Sequence, residues 1–99
     1  MSEIKSTNLA IRLARPSGEP LVSRSQARRI LARLEHFEEA VLDFDAVPEI
    51  GPAFADEIFR VFATEHPQVR LIPVRANENV MRMILRAQER ASGDKKESR

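Results

Sequence analysis

Asp43 and Asp45 stand two apart at the end of a short apolar run, which places both carboxylates on one face of an extended chain. Ligands in open α/β sheets bind beyond the carboxyl ends of strands, so a metal or acid–base site would sit here. Either chemistry needs further ligands or a basic partner. The third predicted strand ends in Pro73-Val74-Arg75, without the lysine an acidic receiver pocket would use. Hydrogen bonding from these carboxylates to loop N–H groups is the simpler reading. His36 and His66 each lie near a predicted helix end, where a cation suits the dipole, and no ligand set at zinc spacing surrounds them. Ser23 and Ser25 have no histidine nearby in sequence, and cysteine is absent, so nucleophilic catalysis finds no support. Gly51 allows close backbone approach or a turn, but no glycine-rich phosphate loop follows it. Arg82, Arg86 and Arg90 recur at i, i+4, i+8, and with Arg75 they form a candidate basic patch for phosphates or an acidic protein.

These side chains need one small scaffold. The chain has 99 residues, enough for one domain and too few for two. Sixteen Lys+Arg against fifteen Asp+Glu leave a net charge of +1, which gives no global pull toward nucleic acid or acidic lipid. Trp and Tyr are absent, so there is no aromatic platform for single strands. No apolar run approaches the roughly 20 residues of a membrane span. Met1-Ser2-Glu3-Ile4-Lys5 lacks the basic-then-apolar order of a signal peptide. Cytoplasmic location is the expectation.

Leu9, Ile11 and Leu13 alternate with more polar neighbours and predict a half-buried strand. Pro16 to Pro20 break it, and Leu21-Val22 adds a short extended piece. Ser23-Arg24-Ser25-Gln26 fits a capping box opening a helix to about His36, with Ala27, Ile30, Leu31 and Leu34 on its apolar side. Arg24, Arg28, Arg29 and Arg33 divide between two sides of it. Ala40 to Phe44 reads as an interior strand covered on both faces. Pro52 starts a second helix with Phe54, Ala55, Ile58, Phe59 and Phe62 inward, and Asp56 and Arg60 paired on its solvent side. Val69–Val74 is a third strand whose Pro73 belongs at an edge or end. Asn77 caps a last helix carrying Val80, Ile84, Ala87 and Ala91, with the methionines as core filler. The expected division is an N-terminal segment (1–7), one domain (8–91) and a disordered polar tail (92–99). The order β-α-β-α-β-α implies a single α/β domain with a mainly parallel sheet covered by helices.

Val41 to Gly51 resembles the strand-to-helix passage of STAS domains, which include the bacterial anti-sigma factor antagonists. Ser23 to Arg29, then Phe54 to Phe59, then Arg75-Ala76-Asn77 before a helix, resemble the STAS-like family DUF4325 over about Leu21 to Ala87. The resemblance implies a STAS-like domain and a bacterial, regulatory protein. In STAS antagonists the helix after this strand docks on a kinase-like ATPase and carries a phosphorylated serine or threonine, whose charge switches docking off. Here Gly51, Pro52 and Ala53 span that switch and none has a hydroxyl; the nearest downstream is Thr64. The resemblance therefore implies partner binding through Gly51, Pro52, Ala53, Phe54, Asp56 and Glu57 without the phosphorylation chemistry.

Three functional expectations follow. The first is a non-enzymatic, cofactor-free interaction module for a protein partner such as a kinase-like ATPase, with self-association as a further option. The alternative is a nucleic-acid-associated factor using Arg75, Arg82, Arg86 and Arg90. The third is a small-ligand or metal site at Asp43 and Asp45.

Overall fold

The computed structural model describes residues 7–97. Strand β1 (Asn8–Arg12) is followed by helix α1 (Arg24–Leu31) and strand β2 (Glu39–Asp43). Helix α2 (Pro52–Asp56) runs without a break into a π-helical stretch (Glu57–Phe62) and a closing turn, α3 (Ala63–Glu65). Strand β3 (Arg70–Val74) and helix α4 (Glu78–Glu97) complete the chain. The sheet is parallel throughout, in the order β1-β2-β3. This is the α/β domain that the alternating pattern predicts, with β2 in the centre and Pro73 on an edge strand, where its missing N–H costs no ladder bond to a further neighbour.

Ala40 and Leu42 point into the core with Leu71 and Pro73 beside them in register, and Phe44 continues that face. The opposite face carries the row Ala10–Val41–Ile72, which lies outside the core cluster. The expectation that β2 is covered on both faces is therefore corrected: among the described residues the helices gather on one face. Their mutual packing is the reason, since α1 and α4 both contact the helix that begins at Pro52. That helix is enclosed from several sides, so six successive residues from Phe54 to Phe59 are buried.

Helix boundaries follow local chemistry. The Ser23 hydroxyl accepts from the Gln26 N–H, and Gln26 Oε1 accepts from the Ser23 N–H, completing the capping box. The same oxygen accepts from Val22, and Gln26 Nε2 donates to the Pro20 carbonyl, so one side chain holds the loop ahead of α1. The α1 helix ends at Leu31 and not near His36; turns close it through Arg33 N–H to Ile30 O and Leu34 N–H to Leu31 O. Leu34 still reaches the core from this turn, so helical spacing of apolar residues outlasts the helix itself. Asn77 Oδ1 accepts from the Val80 N–H at the start of α4, while its amide nitrogen donates to the Val47 and Pro48 carbonyls. Residues Ser92–Glu97 continue α4, where a disordered tail was expected. Polarity removes the signal of burial but does not oppose a helix, and the single Gly93 costs only about 1 kcal/mol relative to alanine. Residues 1–6 of the expected N-terminal segment, and residues 98–99 of the tail, lie outside the described residues.

Candidate functional site

The sheet delivers β1 and β2 to the same end, so α1 and α2 start side by side. A parallel bridge between Leu21 and Ile50, with the Gly51 N–H donating to the Leu21 carbonyl at 2.9 Å, joins the two approaches. Gly51 is needed there for space. Its φ of −81° suits any residue, but an added Cβ would stand 3.0 Å from the Val22 Cα. The result is a rim on which Val22, 53% exposed, and exposed Pro52 stand on neighbouring strands of backbone.

One turn into the helix the chain places two acids, and the structure encloses both. Asp56 Oδ1 accepts from Arg60 Nε at 2.7 Å and Arg90 Nη1 at 3.3 Å; Oδ2 accepts from Arg24 Nη1 at 2.9 Å and Arg60 Nη2 at 2.8 Å. Four bonds use the full acceptor capacity of a carboxylate. Glu57 accepts from Arg24 Nη1 and Arg28 Nε, each at 3.2 Å. Arg60 holds the Asp56 carboxyl well below the usual carboxylate range, with Arg24 adding to the effect and burial opposing it. The Arg24 guanidinium is pushed up by its bonds to Asp56 and Glu57. Two buried carboxylates thus position four guanidiniums, of which Arg24, Arg28 and Arg90 keep solvated outer sides.

This revises the sequence expectation for Gly51 to Glu57. Phe54, Asp56 and Glu57 are buried within the monomer, so their side chains meet this chain's own residues. Pro52 is exposed, and Gly51 and Ala53 are half-buried. Asp56 and Arg60 do pair, but inside and not on the solvent side, because α1 and α4 close over the helix and add Arg24 and Arg90. Arg60 was expected as the i, i+4 partner of Asp56; Arg24 and Arg28 are the site residues that sequence reasoning did not assign. The only signal for them was an acidic pair next to Phe54 and Ile58 in a helix otherwise apolar on most sides.

The other candidates separate. Asp43 receives the Arg75 guanidinium through two bonds, 3.1 and 3.0 Å, and its Oδ1 accepts from the Asp45 N–H at 2.9 Å. The Arg75 contact, reinforced by the Asp45 N–H, lowers the Asp43 pKa, and the same contact raises that of Arg75. Asp43 thus caps its own loop, as the simpler reading expects, while Asp45 faces solvent with Arg12 at 3.8 Å. Arg75 and Ala46 both occupy left-handed backbone, with φ of 55° and 66°, beside a cavity of about 600 Å³ at the strand ends. The expected patch of Arg75, Arg82, Arg86 and Arg90 is divided: Arg75 folds onto Asp43, Arg90 turns in to Asp56, and Arg82 donates to Asn79 on its own helix. His66 stacks on Phe62 with ring centroids 4.5 Å apart, while His36 is exposed. Among the described residues no three His, Asp or Glu side chains cluster to hold a metal, and no helix is long and apolar enough to cross a membrane.

No curated protein and no solved structure matches the chain. The family described as a STAS-like domain of unknown function, DUF4325, matches residues 26–81, which run from the capping glutamine through β2, the enclosed helix and β3 to the first turn of α4. With that match over more than half its length, on a parallel β-α-β-α-β-α scaffold, the chain belongs to the STAS-like domain family DUF4325.

Proposed function

We propose that this domain is a regulatory interaction module that binds a protein partner at the α1–α2 rim and performs no reaction of its own. The observation that carries the proposal is the arginine cluster: Asp56 and Glu57 spend their acceptors inside the monomer to orient Arg24, Arg28 and Arg90, whose outer sides stay solvated. Holding long cationic side chains in place beforehand removes part of the ordering cost of association. Val22 and Pro52 add an exposed apolar contact near Arg24 at the start of α1, and arginine and apolar groups together are the chemistry of binding hot spots. The partner is a protein with an acidic patch around an apolar contact. A kinase-like ATPase is the candidate that the likeness to anti-sigma factor antagonists supports.

The same geometry argues against acid–base chemistry at this place. A carboxylate saturated by guanidiniums and held far below the neutral range neither takes up nor releases a proton near pH 7. The phosphorylation switch of STAS antagonists has no hydroxyl at Gly51, Pro52 or Ala53, so any regulation of docking acts by another route.

The test is site-specific photocrosslinking in the native host. A benzophenone amino acid is placed at position 52, on the rim, or at position 68, an exposed residue before the opposite end of the sheet. One discrete adduct from position 52 and none from position 68 is expected. Absence of adducts from both, or the same adducts from both, overturns the proposal.

A further inference from the structure

A groove of about 570 Å³ runs between α1 and the π-helical stretch, away from the Val22–Pro52 tip. Arg24, Arg28 and Glu57 line one end of it and Glu35, Glu65 and His66 the other, with Leu31, Val61 and Phe62 between. The two walls run in the same direction. Residues 24, 28, 31 and 35 face residues 57, 61, 62 and 65, so the groove has an arginine end at the helix starts and a glutamate end at the helix finishes. Glu57 already pairs with both arginines, which rules out a plain anion site.

This charge order works against the helices that carry it. Arg24 is in the first turn of α1 and Glu65 in the last turn of α3, each at the end where its charge meets the like end of the dipole. The wall is also built from a π-helical stretch, a conformation that is rare and often marks functional sites. Both features oppose helix stability, and both bring groups to the same groove.

We infer that this groove takes an amphipathic helix of the partner, lying antiparallel to α1, with a basic first turn at Glu35 and Glu65 and an acidic last turn at Arg24 and Arg28. The inference rests on the partner-binding function proposed above and names the element of the partner that would be recognised. An antiparallel helix sets its positive end at the glutamates and its negative end at the arginines, so dipole and side-chain charges agree. Apolar residues at i, i+3/i+4 and i+7 would meet half-buried Val61 and the edges of Leu31 and Phe62, which are otherwise core residues.

Two synthetic helical peptides test this on the intact protein. Both carry the same leucine stripe; one has lysines in the first turn and glutamates in the last, and the other has them exchanged. The first should bind about tenfold more tightly than the second by fluorescence anisotropy, from a few partly solvated charge contacts. In NMR spectra it should shift the resonances of Leu31, Val61 and Phe62. The double variant E35K/E65K, altered only at exposed positions, should lose that preference. Equal affinities, no binding of either peptide at millimolar concentration, or shifts confined to other residues overturn the inference. Crosslinking from position 52 is unaffected by these results, so failure of the groove and failure of partner binding are told apart.

Discussion

Replacing Asp56 with asparagine tests the central electrostatic claim with almost no change in shape. Asparagine keeps one carbonyl oxygen, which accepts about two hydrogen bonds. Wild-type Asp56 accepts four, from Arg24, Arg60 twice and Arg90. At least two are lost, and the new amide N–H groups face guanidinium donors. Charge-assisted bonds contribute about 1.5–3 kcal/mol each, so a fully dry node would lose roughly 3–6 kcal/mol. The node is dry on one side only: the Asp56 side chain is 2% exposed, but those of Arg60, Arg24 and Arg90 are 30%, 40% and 63% exposed. Water therefore replaces part of what the arginines lose, and the expected cost is about 2–3 kcal/mol. For a domain of this size that lowers the thermal midpoint by roughly 10–20 °C.

The pH dependence gives a second check on the same variant. The folded-state pKa of Asp56 lies below its unfolded value of 3.8, so its contribution is complete above that value and fades as pH falls through the folded pKa. In urea denaturation, the gap between wild type and D56N should be constant from pH 7 to about pH 4 and close below it. D45N serves as control, because Asp45 is solvated and meets Arg12 only at 3.8 Å; its change should stay within about 0.5 kcal/mol. A D56N midpoint indistinguishable from wild type at pH 7, or a gap that widens on acidification, would refute the reasoning.

Gly51→Val should destabilise by about 1–3 kcal/mol in thermal melts, since the added carbons press on the Val22 backbone, held by the Leu21–Ile50 bridge. Phe54→Ala should cost about 3–5 kcal/mol in urea titrations, because the ring is fully buried where α1 and α4 meet the central helix. The Asp43 carboxyl should titrate below 3.8 by NMR, with its midpoint moving up in R75Q; an unchanged midpoint in that variant would show that the guanidinium is not the cause. Its stabilising effect follows the same sign as Asp56, present above 3.8 and lost as pH falls through the lowered value.

Much of the scaffold could be read locally. The Ser23–Gln26 capping box, the Asn77 cap, the short interior strand around Leu42 and the edge position of Pro73 each rest on chemistry within a few residues. The end of α1 was misplaced because Leu34 remains a core residue after the helix has turned. The tail was misassigned because a polar helix carries no apolar period. The π-helical stretch has no signature in its residue types, and Glu57 to Phe62 reads as ordinary helix.

The amino-acid order alone determined the alternation of strands and helices, and with it the parallel sheet, because period and capping are near-neighbour properties. Tertiary structure decided what the acids of the central helix do. Arg24 and Arg90 meet Asp56 from 32 and 34 positions away, on opposite sides in sequence. Such a meeting depends on which helices pack together, and nothing within one turn of Asp56 encodes it. The same packing enclosed Asp56 and Glu57, expected on a binding surface, and left Pro52, Val22 and Arg28 exposed.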